Sequence, residues 1–302
     1  MSGAVILAGV PRSGSTWVAE VLAAGEDVRL IHEPDNHDLN VHALGAKRGL
    51  SAFPELRRDA QHWELHRLWA AAATGGFDRT TPAMKLQRGI TKQLGKDLRT
   101  RWLDEGEGPA WVRALTGWWP GPASGTAAGR PLVKTVHASR MLEWLAAQQL
   151  GQIAVVERDA ADVVSSWHRL GWRGQPWAAR TLATAGCQDL VGDPFAELAA
   201  TAVALVVRTR RDADRLGLPT IAYAAASVAP HDTLRAGAAA VGLAWGSAND
   251  DAISARERSG TGYATNRERG AGLDVASSRL TAAQQRILAQ IRWALDDPTV
   301  PE

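Results

Sequence analysis

"AVILAGVPRSGSTWVAEVLAAG", residues 4–25, is the stretch from which the rest of the chain is read. Ala4 to Val10 is an apolar run of strand length, and from Ser15 the apolar residues recur at helical spacing as far as Gly25, which is placed to end a helix. A small-residue turn, Pro11-Arg12-Ser13-Gly14, joins the two. The first N–H groups of a helix have no partner within it and carry partial positive charge, so a turn that exposes them cradles an anion. Gly14 lets the backbone come close to such a ligand, Ser13, Ser15 and Thr16 add hydroxyl donors, and Arg12 adds a cation.

The same alternation continues outward. "VRLIHE" (28–33) reads as the next strand and is expected to lie beside the first. "PLVKTV" (131–136), "SRMLEWLAAQQLG" (139–151), "QIAVVE" (152–157) and "ADVVSSWHRLG" (161–171) read as strand, helix, strand and helix, the helices ending at Gly151 and Gly171. A long helix from Phe195 stops at Gly217 and Pro219 and feeds the strand "TIAYA" (220–224), and Thr281 with Gln284 matches a capping box. Short apolar runs alternating with amphipathic stretches predict an α/β protein, a three-layer P-loop-like fold with a central, mostly parallel sheet flanked by helices. The chain, 302 residues, is expected to form one domain over 1–302, with 35–130 a helical, Trp-rich insertion shaping an acceptor site. Within it Leu86, Ile90, Leu94, Leu98 and Trp102 fall at i, i+4 spacing beside a basic stripe, Lys85, Arg88, Lys92, Lys96 and Arg99, predicting one amphipathic basic helix weakened by Gly89 and Gly95.

A formal net charge of +2 offers no field strong enough to argue for a nucleic-acid partner. The single cysteine, Cys187, excludes a disulfide framework and a cysteine zinc site, and fits a reducing, cytoplasmic setting. The run at Ala4 is too short to span a bilayer and lacks a basic leader, so a soluble, unprocessed protein with no integral membrane segment is expected.

From Gly9 to Gly14 the spacing matches a Walker loop, but Ser15 stands where that loop has its lysine. A triphosphate is generally handled with that lysine and Mg²⁺; a 5′-phosphosulfate tail is shorter, its sulfuryl group carries less negative charge, and the substituted loop, with fewer cations and no metal, would suit it. "PRSGSTW" resembles the 5′-phosphosulfate loop of the sulfotransferases. "ERDAADVVSSWHRLG" resembles that family's 3′-phosphate motif, with Arg158 and Ser166 at its spacing, and "PLVKTVHASRMLEWL" resembles the segment between the two. The likeness covers about 4–33 and 131–171, with a weaker stretch at 221–243 where Tyr223 is kept but Ala224 replaces the family's carboxylate. "NRERGAG" resembles a basic-Gly loop, with Arg267, Arg269 and Gly270 as candidate ligands. The resemblance implies a sulfotransferase moving a sulfuryl group from 3′-phosphoadenosine 5′-phosphosulfate (PAPS; product PAP) to a hydroxyl or amine of a small-molecule, glycan or lipid acceptor, without a metal. It implies cofactor contacts from Arg12, Ser13, Gly14, Ser15, Thr16, Trp17, Arg158 and Ser166, with Trp17 against adenine.

Two side chains compete as base. Glu33, at a strand tip, matches the glutamate base of carbohydrate-type and several bacterial family members and ranks first. His137 follows Lys134-Thr135-Val136, one residue beyond the Lys-Thr-His of cytosolic members, and ranks second because one residue reverses the face of a strand. Lys134 and Arg12 are the candidates for stabilising the departing phosphate. Bland readings stand beside these: Glu33 as a salt-bridge partner of Arg12 or Lys134, Arg158 as an ion-pair partner of Asp159 or Asp162, Trp17 as core. The group His32, Glu33, Asp35, His37, Asp38 and His42 invites a metal, but lacks the helix-spaced histidine pair of a metalloprotease. The alternatives are a P-loop kinase, with Glu157 or Asp159 on a Walker B-like strand, and a non-catalytic adenosine-phosphate-binding module.

Overall fold

A computed structural model describes residues 3–77, 82–118, 129–258 and 280–296. Five parallel strands, β1 (Ala4–Gly9), β2 (Val28–His32), β3 (Arg130–Thr135), β4 (Gly151–Glu157) and β5 (Thr220–Ala222), form one sheet in the order β2-β3-β1-β4-β5. The α/β architecture expected from the alternation is therefore present, with helices on both faces.

Because strand side chains alternate, each central strand feeds two cores. Val5, Leu7, Leu132, Ala154, Val156 and Ile221 pack against α1 (Ser15–Leu22), α12 (Pro230–Ala240) and α13 (Ser247–Arg258). Ile6, Ala8, Val133, Ile153 and Val155 face α3 (Trp63–Ala73) and α7 (Leu142–Ala147). A third core joins α8 (Ala160–Arg169), α9 (Ala178–Thr184), α10 (Pro194–Leu216) and α14 (Ala282–Asp296). At ~1.5–3 kcal/mol for each fully buried large aliphatic side chain, these layers dominate the favourable side of folding.

Several expected boundaries hold. α10 ends at Gly217 in the left-handed region (φ 61°), which glycine adopts without penalty. The capping box is made in both directions: Gln284 N–H donates to Thr281 Oγ1 at 3.2 Å and Thr281 N–H to Gln284 Oε1 at 3.0 Å. Others move. α1 stops at Leu22 rather than Gly25, and α7 at Ala147, leaving Gly151 to open β4. β5 closes at Ala222, so Tyr223 starts the short helix α11 (Tyr223–Val228).

β2 does not lie beside β1; β3 is inserted between them, pairing His32 with Lys134 and Ala8 with Thr135. The burial explains the order. β3 from Leu132 to Thr135 is wholly buried, as a central strand must be, whereas β2 buries only Ile31 fully and takes the edge.

Between β2 and β3 the chain forms α2 (Val41–Ala46), α3, α4 (Pro82–Gln93), α5 (Lys96–Asp104) and α6 (Ala110–Trp118). The expected single basic helix is two, broken at Gly95 with φ 62°. Leu94, Leu98 and Trp102 pack with Leu44, Leu103 and Val112, but Leu86 is exposed, so the apolar stripe does not run through the break. Arg99 leaves the solvent stripe to pair with Asp38 at 3.3 Å.

Candidate active site

β1 and β4 are neighbours, yet the chain leaves β1 toward β2 on one side of the sheet and leaves β4 toward β5 on the other. Parallel strands whose connections diverge in this way leave a crevice at their carboxyl ends, the usual ligand position in open α/β sheets. The turn at 10–14 lies on one side of it and Arg158 on the other.

The turn is tightly built. Ser13 N–H donates to Val10 O at 3.0 Å, and Trp167 Nε1 reaches Pro11 O at 2.9 Å from α8. Gly14, the N-cap of α1, has φ 91°, and a Cβ there would come within 2.2 Å of the Tyr223 ring. Only glycine fits both constraints. Ser13 and Ser15 are buried and Thr16 is exposed. Ser13 Oγ is buried without a hydrogen-bond partner, an acceptor-seeking hydroxyl at the mouth of a helix. Trp17 meets Tyr223 edge-on at 6.2 Å and packs against the α1-side core, so the ring is partly committed to the interior.

Arg158 follows β4 directly. Its Nη1 donates to Arg12 O at 2.9 Å, its Nε lies 3.3 Å from Asp162, and its guanidinium stands 4.6 Å above the Tyr223 ring. Asp159 instead caps α8 through Ala161 N–H at 2.7 Å and pairs with Arg292. Arg12 Nε donates to Ser166 Oγ, on the buried side of α8, at 3.1 Å. Arg12, from the turn after β1, thus meets Arg158 and Ser166, from the segment running from β4 into α8. Arg267, Arg269 and Gly270 lie outside the described residues.

Glu33 sits one residue beyond β2 with φ 49°, and Arg12 has φ 71°. Two non-glycine residues in the left-handed region at one sheet edge are costly, at ~1–3 kcal/mol each, and such strain clusters at functional sites. Glu33 N–H donates to Lys134 O at 2.6 Å, and its carboxylate forms an ion pair with Lys134 Nζ and accepts from Asn36 Nδ2 at 2.7 Å. Burial works to raise the Glu33 carboxyl, but the charge and hydrogen bond of Lys134, together with His137 and His32, outweigh it and hold the group well below the usual carboxylate range. The salt bridge weighed between Glu33 and Lys134 is formed.

His137 lies two residues past the end of β3, outside the ladder, so the extra residue shifts a turn rather than reversing a strand face. Its ring packs against Phe53 and His37, with centroids 5.2 and 5.4 Å away. Burial, aided by Lys47, pushes it down to about 3, so it is neutral, and its Nδ1 has no hydrogen-bond partner. Behind it Asp35, Lys47 and Thr135 are fully buried. Lys47 donates to Ala52 O at 3.0 Å and is lowered to about 8 by burial, against the pull of Asp35 and Glu33. Sequence reasoning missed this polar interior; its one local signal is the pair Lys134-Thr135 closing an otherwise apolar strand. Among the described residues no group of three or more His, Cys, Asp or Glu side chains is arranged to hold a metal ion.

No family model and no curated protein matches the chain. Solved sulfotransferase domains resemble it. The sulfotransferase domain of the Synechococcus PCC 7002 olefin synthase is 15% identical, with 96% of this chain and 93% of that chain covered at a TM-score of 0.41. The sulfotransferase domain of the curacin biosynthetic pathway is 13% identical, covering 96% and 98% at 0.43. Sulfotransferase STF9 from Mycobacterium avium is 16% identical, covering 96% and 76% at 0.41. Likeness of this degree leaves the chemistry to the site's own residues. No helix among the described residues is long and apolar enough to cross a membrane.

Proposed function

We propose that the chain is a PAPS-dependent sulfotransferase acting on a hydroxyl or amine of a small-molecule, glycan or lipid acceptor. The observation that carries this is the meeting of Arg12, Arg158 and Ser166 at the carboxyl ends of β1 and β4, beside a turn whose buried Ser13 hydroxyl has no partner. Two anion-binding groups at one crevice suit a ligand with phosphate at two places on an adenosine, and the residues present fit it. Ser13, Ser15, Thr16 and the amides opening α1 would hold the 5′-phosphosulfate. Arg158 and Ser166 would hold the 3′-phosphate, with Trp17 and Tyr223 near the base.

The bound donor supplies an electrophilic sulfur and a phosphate leaving group. Glu33 would take the acceptor's proton as the acceptor oxygen or nitrogen bonds to sulfur and the bond from sulfur to the 5′-phosphate oxygen breaks. A carboxylate held so far down by Lys134 is ionised but weakly basic. Lys134 turning toward the negative charge that develops on the phosphate would release Glu33 and strengthen it as a base, so one movement serves both ends of the transfer. His137, neutral and with Nδ1 free of a hydrogen bond, is the second candidate for the proton.

Thermal stabilisation by PAP in EDTA, compared with Mg-ATP, tests the donor. Stabilisation by PAP alone, followed by transfer of labelled sulfate to members of a panel of alcohols, sugars, phenols and amines, is the expected result. A response to Mg-ATP alone would favour a kinase, and PAP binding without any transfer would favour a binding module.

A further inference from the structure

The two candidate bases stand on different turns, Glu33 after β2 and His137 after β3. One buried hydroxyl joins the turns. Thr135, the last residue of β3 and fully buried, places Oγ1 2.9 and 2.8 Å from the two carboxylate oxygens of Asp35, to which it donates. The same oxygen accepts the backbone N–H of His137 at 3.1 Å. Asp35 is itself fully buried and lies two residues beyond Glu33. The strand residue next to Thr135, Lys134, is the ion-pair partner of Glu33.

We infer that Thr135 and Asp35 are positioning residues for the reaction, a hydroxyl–carboxylate link that fixes the Glu33 turn and the His137 turn relative to each other at the tip of β3; the inference rests on the sulfotransferase reading. Neither group is assigned a contact with substrate. Backbone pairing sets only one side of this spacing: Glu33 N–H reaches Lys134 O at 2.6 Å, but His137 lies beyond the ladder, and Glu33 is in a backbone conformation that its surroundings must impose. A fully buried carboxylate accepting from a fully buried hydroxyl is a strong, oriented contact. Removing the hydroxyl loosens both turns at once while leaving the proposed PAP contacts in the turn after β1, at the start of α1, just after β4 and on α8 untouched.

The test compares Thr135→Val and Thr135→Ser with the wild-type chain for kcat, acceptor KM, PAP affinity in EDTA and melting temperature. Misplacement of a reacting group by about 1 Å can cost on the order of 10²-fold, so Thr135→Val is expected to lose kcat on that scale with unchanged PAP affinity. Thr135→Ser, which keeps the hydroxyl, is expected to retain most of the activity. Should the valine chain fail to fold, Thr135→Ala against Thr135→Ser carries the same expectation. Wild-type kcat in a folded Thr135→Val or Thr135→Ala chain, or an equal loss in Thr135→Ser, overturns the positioning role alone. A wild-type chain that neither binds PAP nor transfers sulfate overturns the sulfotransferase reading, and this inference with it.

Discussion

Arg158 donates from Nη1 to the carbonyl oxygen of Arg12 at 2.9 Å, tying together two turns 146 residues apart in the chain. The guanidinium also stands over Tyr223, whose ring lies against Gly14, so one side chain organises both walls of the crevice.

Replacing Arg158 by alanine is expected to weaken PAP binding about 10- to 100-fold, since a hydrogen bond to a charged group contributes ~1.5–3 kcal/mol. Lysine should recover little, because it lacks the planar fork. Calorimetric titration with PAP in EDTA measures this; unchanged affinity in Arg158→Ala would remove the residue from the donor site.

Glu33→Gln is expected to lower turnover by about 10² to 10⁴, the range of a positioned base, with little change in PAP affinity. Single-turnover transfer from labelled donor measures the chemical step. Near-normal turnover in Glu33→Gln, with a loss in His137→Gln, would give the base role to His137.

Stability should fall on acidification in two stages. His137 is lowered to about 3 from an ordinary 6.5, so below pH 6.5 the unfolded chain binds the proton that the folded chain refuses. Its stabilising contribution is therefore lost as pH falls from about 6.5 toward 3, at up to ~1.4 kcal/mol per pH unit. His37, also held low by burial with Lys47 adding to the effect, acts in the same direction. Glu33, held below its ordinary value near 4.5, adds a loss only beneath that pH. Urea unfolding at pH 7, 6 and 5 should show the slope, and His137→Gln should flatten it; parallel slopes in the two chains would contradict the assignment.

Gly14→Ala is expected to abolish PAP binding, because the new Cβ meets the Tyr223 ring and the backbone needs φ 91°. Adding Tyr223→Ala removes the overlap but leaves the backbone strain of about 1 kcal/mol or more. The double variant should regain melting temperature relative to Gly14→Ala. Additive losses instead would show that the ring does not press on the turn.

The candidate site was legible where chemistry is local. The tight turn at Gly14 was legible by residue type, and Arg158 and Ser166 stay close because a strand end and the next helix follow each other directly. Asp35, Lys47 and Thr135 were not legible as a unit. They come from a turn, a helix end and a strand, and nothing in any one of those segments says that the three will be buried together.

The amino-acid sequence alone determined the α/β class, the strand-turn-helix opening at Ala4 (but not its end, read at Gly25 and found at Leu22), the stop at Gly217 and the capping box at Thr281, since each depends on apolar period or on backbone preferences a few residues long. Tertiary structure decided that β3 lies between β1 and β2, that the basic stripe is split at Gly95, and that Glu33 pairs with Lys134. Those outcomes depend on which strands are buried on both faces and on which charges share a low-dielectric interior, and both are properties of the assembled sheet rather than of any segment within it.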